Sequence, residues 1–340
     1  YNEKTKFFDG FGNVHIKVND STDIYSKLLK YNGETRFAEL FHDVILKDDS
    51  TILNTEYMTY DRVGHLASYP NHGTITRNDK KLVSKKGYYR DDIKVVYFRT
   101  DVVGTMPDYK ILSDTLVYDT ENEMMYFYGP TTMINKENTL YGNYGWYNTE
   151  TELAYLDKRA TLKNKEQSMI ADTMFYNKKT GYAKALNDVI IEDTVYKATL
   201  TGNYAEMWRN LGKGFITNNI KAYYYEEKDT LFAISDSIYF YFDTISNEIQ
   251  RLKAFYNVRF FRNDIQGKCD SLHYVVVDSI VYMRDEPVIW TDRSQMSGDS
   301  INIAIKGRAI DSVLMYPNAF IIQQDSIKGY NQVKGRQITA

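Results

Sequence analysis

The sequence predicts an all-β fold: a repeat array of about eleven units of roughly 29 residues, each carrying at least two short amphipathic strands. Three observations predict it. Aromatic residues make up 15% of the chain, with 31 Tyr against 3 Trp, and such residues suit a half-buried pleated surface. A tyrosine recurs at a fixed interval: Tyr31, Tyr60, Tyr89, Tyr118, Tyr147 and Tyr176 are each 29 residues apart, with Tyr1 about one unit upstream. Around these positions apolar and polar residues alternate with the period of a strand, and helical periodicity is poor.

The first strand of each unit opens at a small or β-branched marker: Val14, Val44, Thr74, Val102, Thr131, Ala160, Val189, Ile220, Val258, Val288 and Ala319. Two residues beyond these lie Ile16, Leu46, Thr76, Gly104, Met133, Leu162, Ile191, Ala222, Phe260, Trp290 and Ile321. Nine of those eleven are apolar, so marker and marker-plus-two share one buried face, while Lys17, Lys47, Lys221 and Arg259 fall on the other.

The second strand carries its own alternation in Leu29/Tyr31, Met58/Tyr60, Leu116/Tyr118, Met174/Tyr176, Ile238/Phe240 and Leu272/Tyr274. An Asp-Ser or Asp-Thr step precedes many such strands: Asp114-Thr115, Asp172-Thr173, Asp236-Ser237, Asp270-Ser271, Asp299-Ser300 and Asp325-Ser326. These side chains bond nearby backbone, so each step predicts a turn leading into a strand. After Tyr176 the spacing loosens, with Met207, Phe240, Tyr274 and Ile303 as equivalents. A helical turn is tolerated only around Ala205–Asn210.

A unit this short cannot bury its apolar face alone, so the units must stack. No Pro/Gly-rich linker divides them, and residues 1–340 read as a single continuous array, irregular around 225–257 where "YYYEEKDT" is inserted. The chain starts inside a unit and stops at "RQITA", as a piece cut at both ends from a longer protein would.

Composition and motifs exclude much else. A net charge of −3 gives no general attraction to nucleic acid. No run of apolar residues is long enough for a membrane-spanning helix, and no signal peptide is visible. Cys269 is alone, which rules out an internal disulfide or a cysteine-based zinc site and predicts a small, half-buried hydrophobe. His15, His42, His65, His72 and His273 lack metal-ligand spacing. Asp48-Asp49, Asp91-Asp92 and Glu226-Glu227 lack the glycine of a calcium loop and read as turn charge. No Ser-His-Asp set has a nucleophile elbow, and no glycine loop precedes a helix. The expectation is therefore a protein that is not an enzyme and holds no metal or cofactor. The tyrosines could stack on sugars or bases, but β-propensity explains their recurrence.

The unit apolar-x-Tyr-Asp/Asn, polar turn, polar pair and Val-x-apolar resembles the repeat signature of the LptA/OstA family of lipopolysaccharide-transport proteins, the OstA-like branch included. "TLVYDTENEMMYFYGPTTM" and "TMFYNKKTGYAKALNDVII" carry the likeness best, and "DSIKGYNQVKGR" resembles the closing segment of OstA-like chains. The stretches at 86–92, 207–208 and 225–257 depart from it. The resemblance implies an elongated twisted β-jellyroll of stacked antiparallel strands, with two facing sheets and an apolar interior. It implies a periplasmic location, with the signal peptide absent from this sequence, and a role in outer membrane biogenesis. It also implies lipopolysaccharide or lipid A as ligand. Other jellyroll components of the transport machinery, or further copies of the chain, would join by end-to-end strand addition. Nucleic acid is not an expected partner.

The groove lining expected on this basis is Ile16, Leu46, Met133, Leu162, Ile191, Phe260, Trp290 and Ile321 on one strand, with Leu116, Tyr118, Met174, Tyr176 and Leu272 on the other. Amphipathic spacing cannot tell an open groove from a sealed core, so a structural β-solenoid without ligand stays open. A β-helix enzyme acting on polysaccharide would need acids and bases clustered on one exposed strand face, which the sequence does not offer.

Overall fold

A computed structural model describes residues 6–227, 229–307, 309–325 and 329–340. The strands fall into two compact units, Tyr1–Lys165 and Glu166–Ala340. Both are built from antiparallel strands, and the described residues contain no α-helix. Unit 1 holds β1 (Phe7–Lys17), β2 (Thr22–Asn32), β3 (Phe37–Asp48), β4 (Thr51–Asp61), β5 (Leu66–Tyr69), β6 (Gly73–Arg77) and β7 (Lys80–Ser84). It continues through β8 (Lys86–Arg90), β9 (Val95–Thr105), β10 (Lys110–Asp119), β11 (Met124–Ile134), β12 (Thr139–Asn148) and β13 (Leu153–Lys163). Unit 2 holds β14 (Gln167–Asn177), β15 (Tyr182–Asp193), β16 (Ala198–Trp208), β17 (Lys213–Tyr225), β18 (Thr230–Phe242), β19 (Ile249–Arg262) and β20 (Ile265–Val275). Then come β21 (Ile280–Arg284), β22 (Val288–Thr291), β23 (Ser294–Ser297), β24 (Ser300–Lys306), β25 (Ala309–Tyr316), β26 (Ala319–Gln324), β27 (Tyr330–Gly335) and β28 (Ile338–Thr339). The helical turn expected near Ala205–Asn210 is a single 3₁₀ turn at Arg209–Leu211, closed by left-handed Gly212.

One repeat is a pair of long strands, and each long strand has a corner at its middle. On β3, His42 and Asp43 take left-handed backbone (φ 62° and 51°) and together face the single Glu56 of β4. Thr100-Asp101 on β9 face Asp114, and Asn187-Asp188 on β15 face Asn203. Asn218-Asn219 on β17 face Asp236, and Tyr256-Asn257 on β19 face Asp270. Two residues against one is a β-bulge, which bends the strand and re-aims the side chains beyond it. Asn and Asp tolerate this conformation best, which explains the polar pair before each marker. Four of the five prolines, Pro70, Pro130, Pro287 and Pro317, also sit at corners, where a missing N–H costs no ladder bond. Where the interruption is deep, the long strand splits, so β4 pairs with both β5 and β6.

The corners correct one expectation. Asp114, Asp172, Asp236 and Asp270 do not start strands but lie inside β10, β14, β18 and β20, at or beside the residue opposite a corner. The local turn chemistry of Asp serves the bend in the middle of a strand instead. Tyr1 and Ser326-Ile327 lie outside the described residues.

The recurring tyrosines close polar contacts, two between repeats and one across a hairpin turn. Tyr60 Oη donates to Asp91 Oδ2 at 2.6 Å, Tyr89 Oη to Asp48 Oδ2 at 2.6 Å and Tyr118 Oη to Glu123 Oε2 at 2.7 Å. A buried phenol needs such a partner, and the ring fills core while the tip is satisfied. Burial, then the neighbouring carboxylate, pushes the Tyr60, Tyr89 and Tyr118 hydroxyls well above their ordinary range. Asp48 is further held by Lys94 Nζ at 2.6 Å. Burial would raise the Glu123 carboxyl, but hydrogen bonds from Lys80, Thr149 and Tyr118 outweigh it and bring it down to about 2.

Candidate functional site

The interior of each unit is lined by the alternate residues on either side of the corners, and their size sets what the interior can hold. In unit 1 the inward row beyond the corner includes Leu46, Leu53, Ile75, Leu82 and Ile111, all buried to within 1%. The inward row before the corner includes Met58, Ala67, Val96, Phe98, Leu116, Met125 and Phe127, equally buried. Rings lie over glycines here, the Tyr69 ring occupying the space beside Gly73 and Gly87. This interior is filled.

In unit 2 the same rows change character. The inward row beyond the corner runs Ile191, Leu200, Ala222, Ala233 and Phe260, paired strand to strand. All five are half-buried rather than buried. Behind them the lining is small: Ala171, Ala183, Ala185, Gly202, Ala205 and Gly214 are buried, and Ala254 is half-buried. Alanine and glycine cannot fill an interior that leucine and phenylalanine fill in unit 1, so the outer row keeps access to solvent. Phe240 and Phe260 lean over Gly214 and Gly267, where an added Cβ would come within 2.5 and 2.2 Å of the rings. A side chain at either position would collide with its ring. From Val258 on β19 onward the interior closes again around Val258, Cys269, Met283, Ile289, Ile301 and Met315. Cys269 belongs to that cluster, and burial pushes its thiol up to about 12.

The structure divides the expected lining residues. Leu46, Leu116, Tyr118, Met133, Leu162 and Met174 are buried. Ile16, Tyr176, Ile191, Phe260, Leu272 and Ile321 are half-buried, the last three packed partly against other apolar side chains of unit 2. Trp290 faces outward and donates its indole N–H to Gln295 Oε1 at 2.8 Å, while its neighbour Ile289 is in the core. The cause is a one-residue slip. The corner is Asp285-Glu286, so the marker is Pro287, not Val288, and a slip of one exchanges the two faces of a strand. The same slip makes Gly73 and Ile75 the inward pair, not Thr74 and Thr76. With both corrected, marker-plus-two is apolar or glycine in every repeat.

The sequence reading missed the small-residue floor. Ala185, Ala205, Ala222, Ala233 and Ala254 occupy positions that hold larger side chains in most unit 1 repeats, and that drop in volume is visible in the sequence. No group of three or more His, Cys, Asp or Glu among the described residues is placed to hold a metal ion. Among the described residues no helix is long and apolar enough to cross a membrane, which says nothing of strands.

A family model described as "OstA-like protein" matches residues 1–114 and 110–172, together half of the chain. No curated protein matches it. Among solved structures, the WD40 domain of SCAP from fission yeast aligns at 9% identity over 98% of this chain and 90% of that one, with a TM-score of 0.15, a likeness too slight to argue from.

Proposed function

This chain belongs to the OstA-like protein family, and from that premise we propose that it is a non-enzymatic lipid carrier of a cell envelope. It binds the acyl chains of lipopolysaccharide or lipid A in the trough of unit 2 and passes them on. The observation that supports the reading is the contrast in the inward row beyond the corner, buried at Leu46, Leu53, Ile75, Leu82 and Ile111 in unit 1 and half-buried at Ile191, Leu200, Ala222, Ala233 and Phe260 in unit 2. An acyl chain laid along that row would gain about 0.8 kcal/mol for each CH₂ it removes from water. Alanine and glycine behind the row leave depth for a chain without a specific pocket, so a lipid can move from rung to rung at little cost. The periplasm is the compartment in which such a carrier works, and jellyroll proteins of like edge are its partners by strand addition. Unit 1, with its filled interior, acts as a structural stem.

Photo-crosslinking tests the reading. A photoreactive residue at Ile191 or Ala222 should label with lipid A, one at Leu53 should not, and Ala222→Trp should abolish binding while the chain stays folded. Label appearing only from the outward Lys221 or Thr201 would sink it.

A further inference from the structure

The outward face of unit 2 carries a separate feature that does not depend on the trough. Beyond the corners, two rows run side by side across β17–β20. One row is aromatic: Tyr223, Phe232 and Phe261 stand opposite one another in register, with Tyr223 edge-on to Phe232 at 5.5 Å. Phe232 and Phe261 are 44% and 45% exposed. The adjoining row is cationic: Lys221, Arg259 and Lys268 lie in one line of register with Ile234 between the first two. Ile234 is 46% exposed.

Neither row contains a carboxylate on these four strands. None of the three cations makes an ion pair among the described residues. The contrast is Arg262 at the end of β19, clamped by Asp264 at 2.6 Å and Glu226 at 3.2 Å. The protein therefore pairs a cation nearby and leaves this row bare. Three exposed large apolar side chains beside three bare cations, with no anion among them, match the boundary of an anionic bilayer. There aromatic and aliphatic side chains sit at the headgroup level and ammonium or guanidinium groups meet phosphates. A second copy of the chain would bring like charges together on the same face. We propose that this face seats the protein on an anionic phospholipid surface.

The test is co-sedimentation of the full chain with vesicles of phosphatidylcholine alone and of phosphatidylcholine with an equal part of phosphatidylglycerol. Binding to the anionic vesicles only is expected, weakening with added salt. The triple variant Lys221→Gln, Arg259→Gln, Lys268→Gln should lower it about a hundredfold, from about a factor of five per cation. Phe232→Ser with Phe261→Ser should lower it too, and all these positions are exposed, so unchanged thermal unfolding separates binding from folding. Ala222→Trp, which closes the trough, should leave vesicle binding intact. Equal binding to neutral vesicles, or none to either, overturns the proposal. So does loss with Ala222→Trp but not with the triple variant, which would make the signal lipid uptake by the trough. A dimer abolished by the triple variant, without vesicle binding, would assign the face to a second copy.

Discussion

Unit 1 and the first half of unit 2 are made by one repeat and differ in what stands on its inner face. The corners, the ladder register and the alternation are shared. In unit 1 the inward positions hold mainly Leu, Ile, Met, Phe and Tyr, and the row beyond the corner is buried from Ile24 to Leu162. In β15–β19 they hold Ala and Gly at many of the same places, and the outer row is half-buried. Backbone geometry thus fixes where the interior is, while side-chain volume fixes whether its outer row is sealed or half-buried.

Truncating a filled interior should cost most. Phe98→Ala in unit 1 is expected to lose about 3–5 kcal/mol in urea unfolding, whereas Phe260→Ala, on the half-buried row of unit 2, should lose under about 2 kcal/mol. Similar losses at the two sites would erase the distinction between core and trough.

Acid should separate the units next. The Glu123 carboxyl of unit 1 sits at about 2 against an ordinary 4.5. Its folded value is depressed, so its contribution is present above 4.5 and is lost as pH falls from there toward 2. In unit 2, burial and then Lys253, Arg251 and Arg284 hold His273 below its ordinary 6.5. The folded form stays neutral there while the unfolded chain takes a proton, so this contribution begins to fall below 6.5. Acid titration followed by hydrogen exchange should show β20–β21 loosening first and β10–β12 later, with Glu123→Gln removing the later phase.

Filling should reverse the first contrast. Ala67→Leu, in the closed interior, is expected to cost about 1–3 kcal/mol, and Ala222→Leu in the trough to change stability by less than about 0.5 kcal/mol. Differential scanning calorimetry decides it, and an equal cost at Ala222 would mean the trough is already full.

The smallest effect concerns a corner common to both units in kind. Thr100 is β-branched with φ 67°, where the equivalent positions in unit 2 hold Asn187 and Asn218. Thr100→Asn should stabilise by up to about 1 kcal/mol, measured by urea midpoint.

Much of this was legible in the amino-acid order. A tyrosine every 29 residues marks one hairpin of two long strands, and the polar pair before each marker is the corner itself. Two markers lie one residue earlier than the alternation predicts, at Gly73 rather than Thr74 and at Pro287 rather than Val288. In each case a residue with strand propensity stood next to a glycine or proline that the corner required. Propensity cannot resolve a shift of one, although that shift exchanges inside and outside.

By itself the sequence determined the period, the alternation and the number of rungs, because these depend on neighbours along the chain. Only the tertiary structure decided that Asp91, Asp48 and Glu123 receive the phenols of Tyr60, Tyr89 and Tyr118, and that Leu46 is sealed while Ile191 is half-open. Asp91 and Asp48 lie 31 and 41 residues from their tyrosines, Glu123 meets Tyr118 only because the turn between β10 and β11 folds one back on the other, and the volume that seals Leu46 comes from other strands; the strand period encodes none of these.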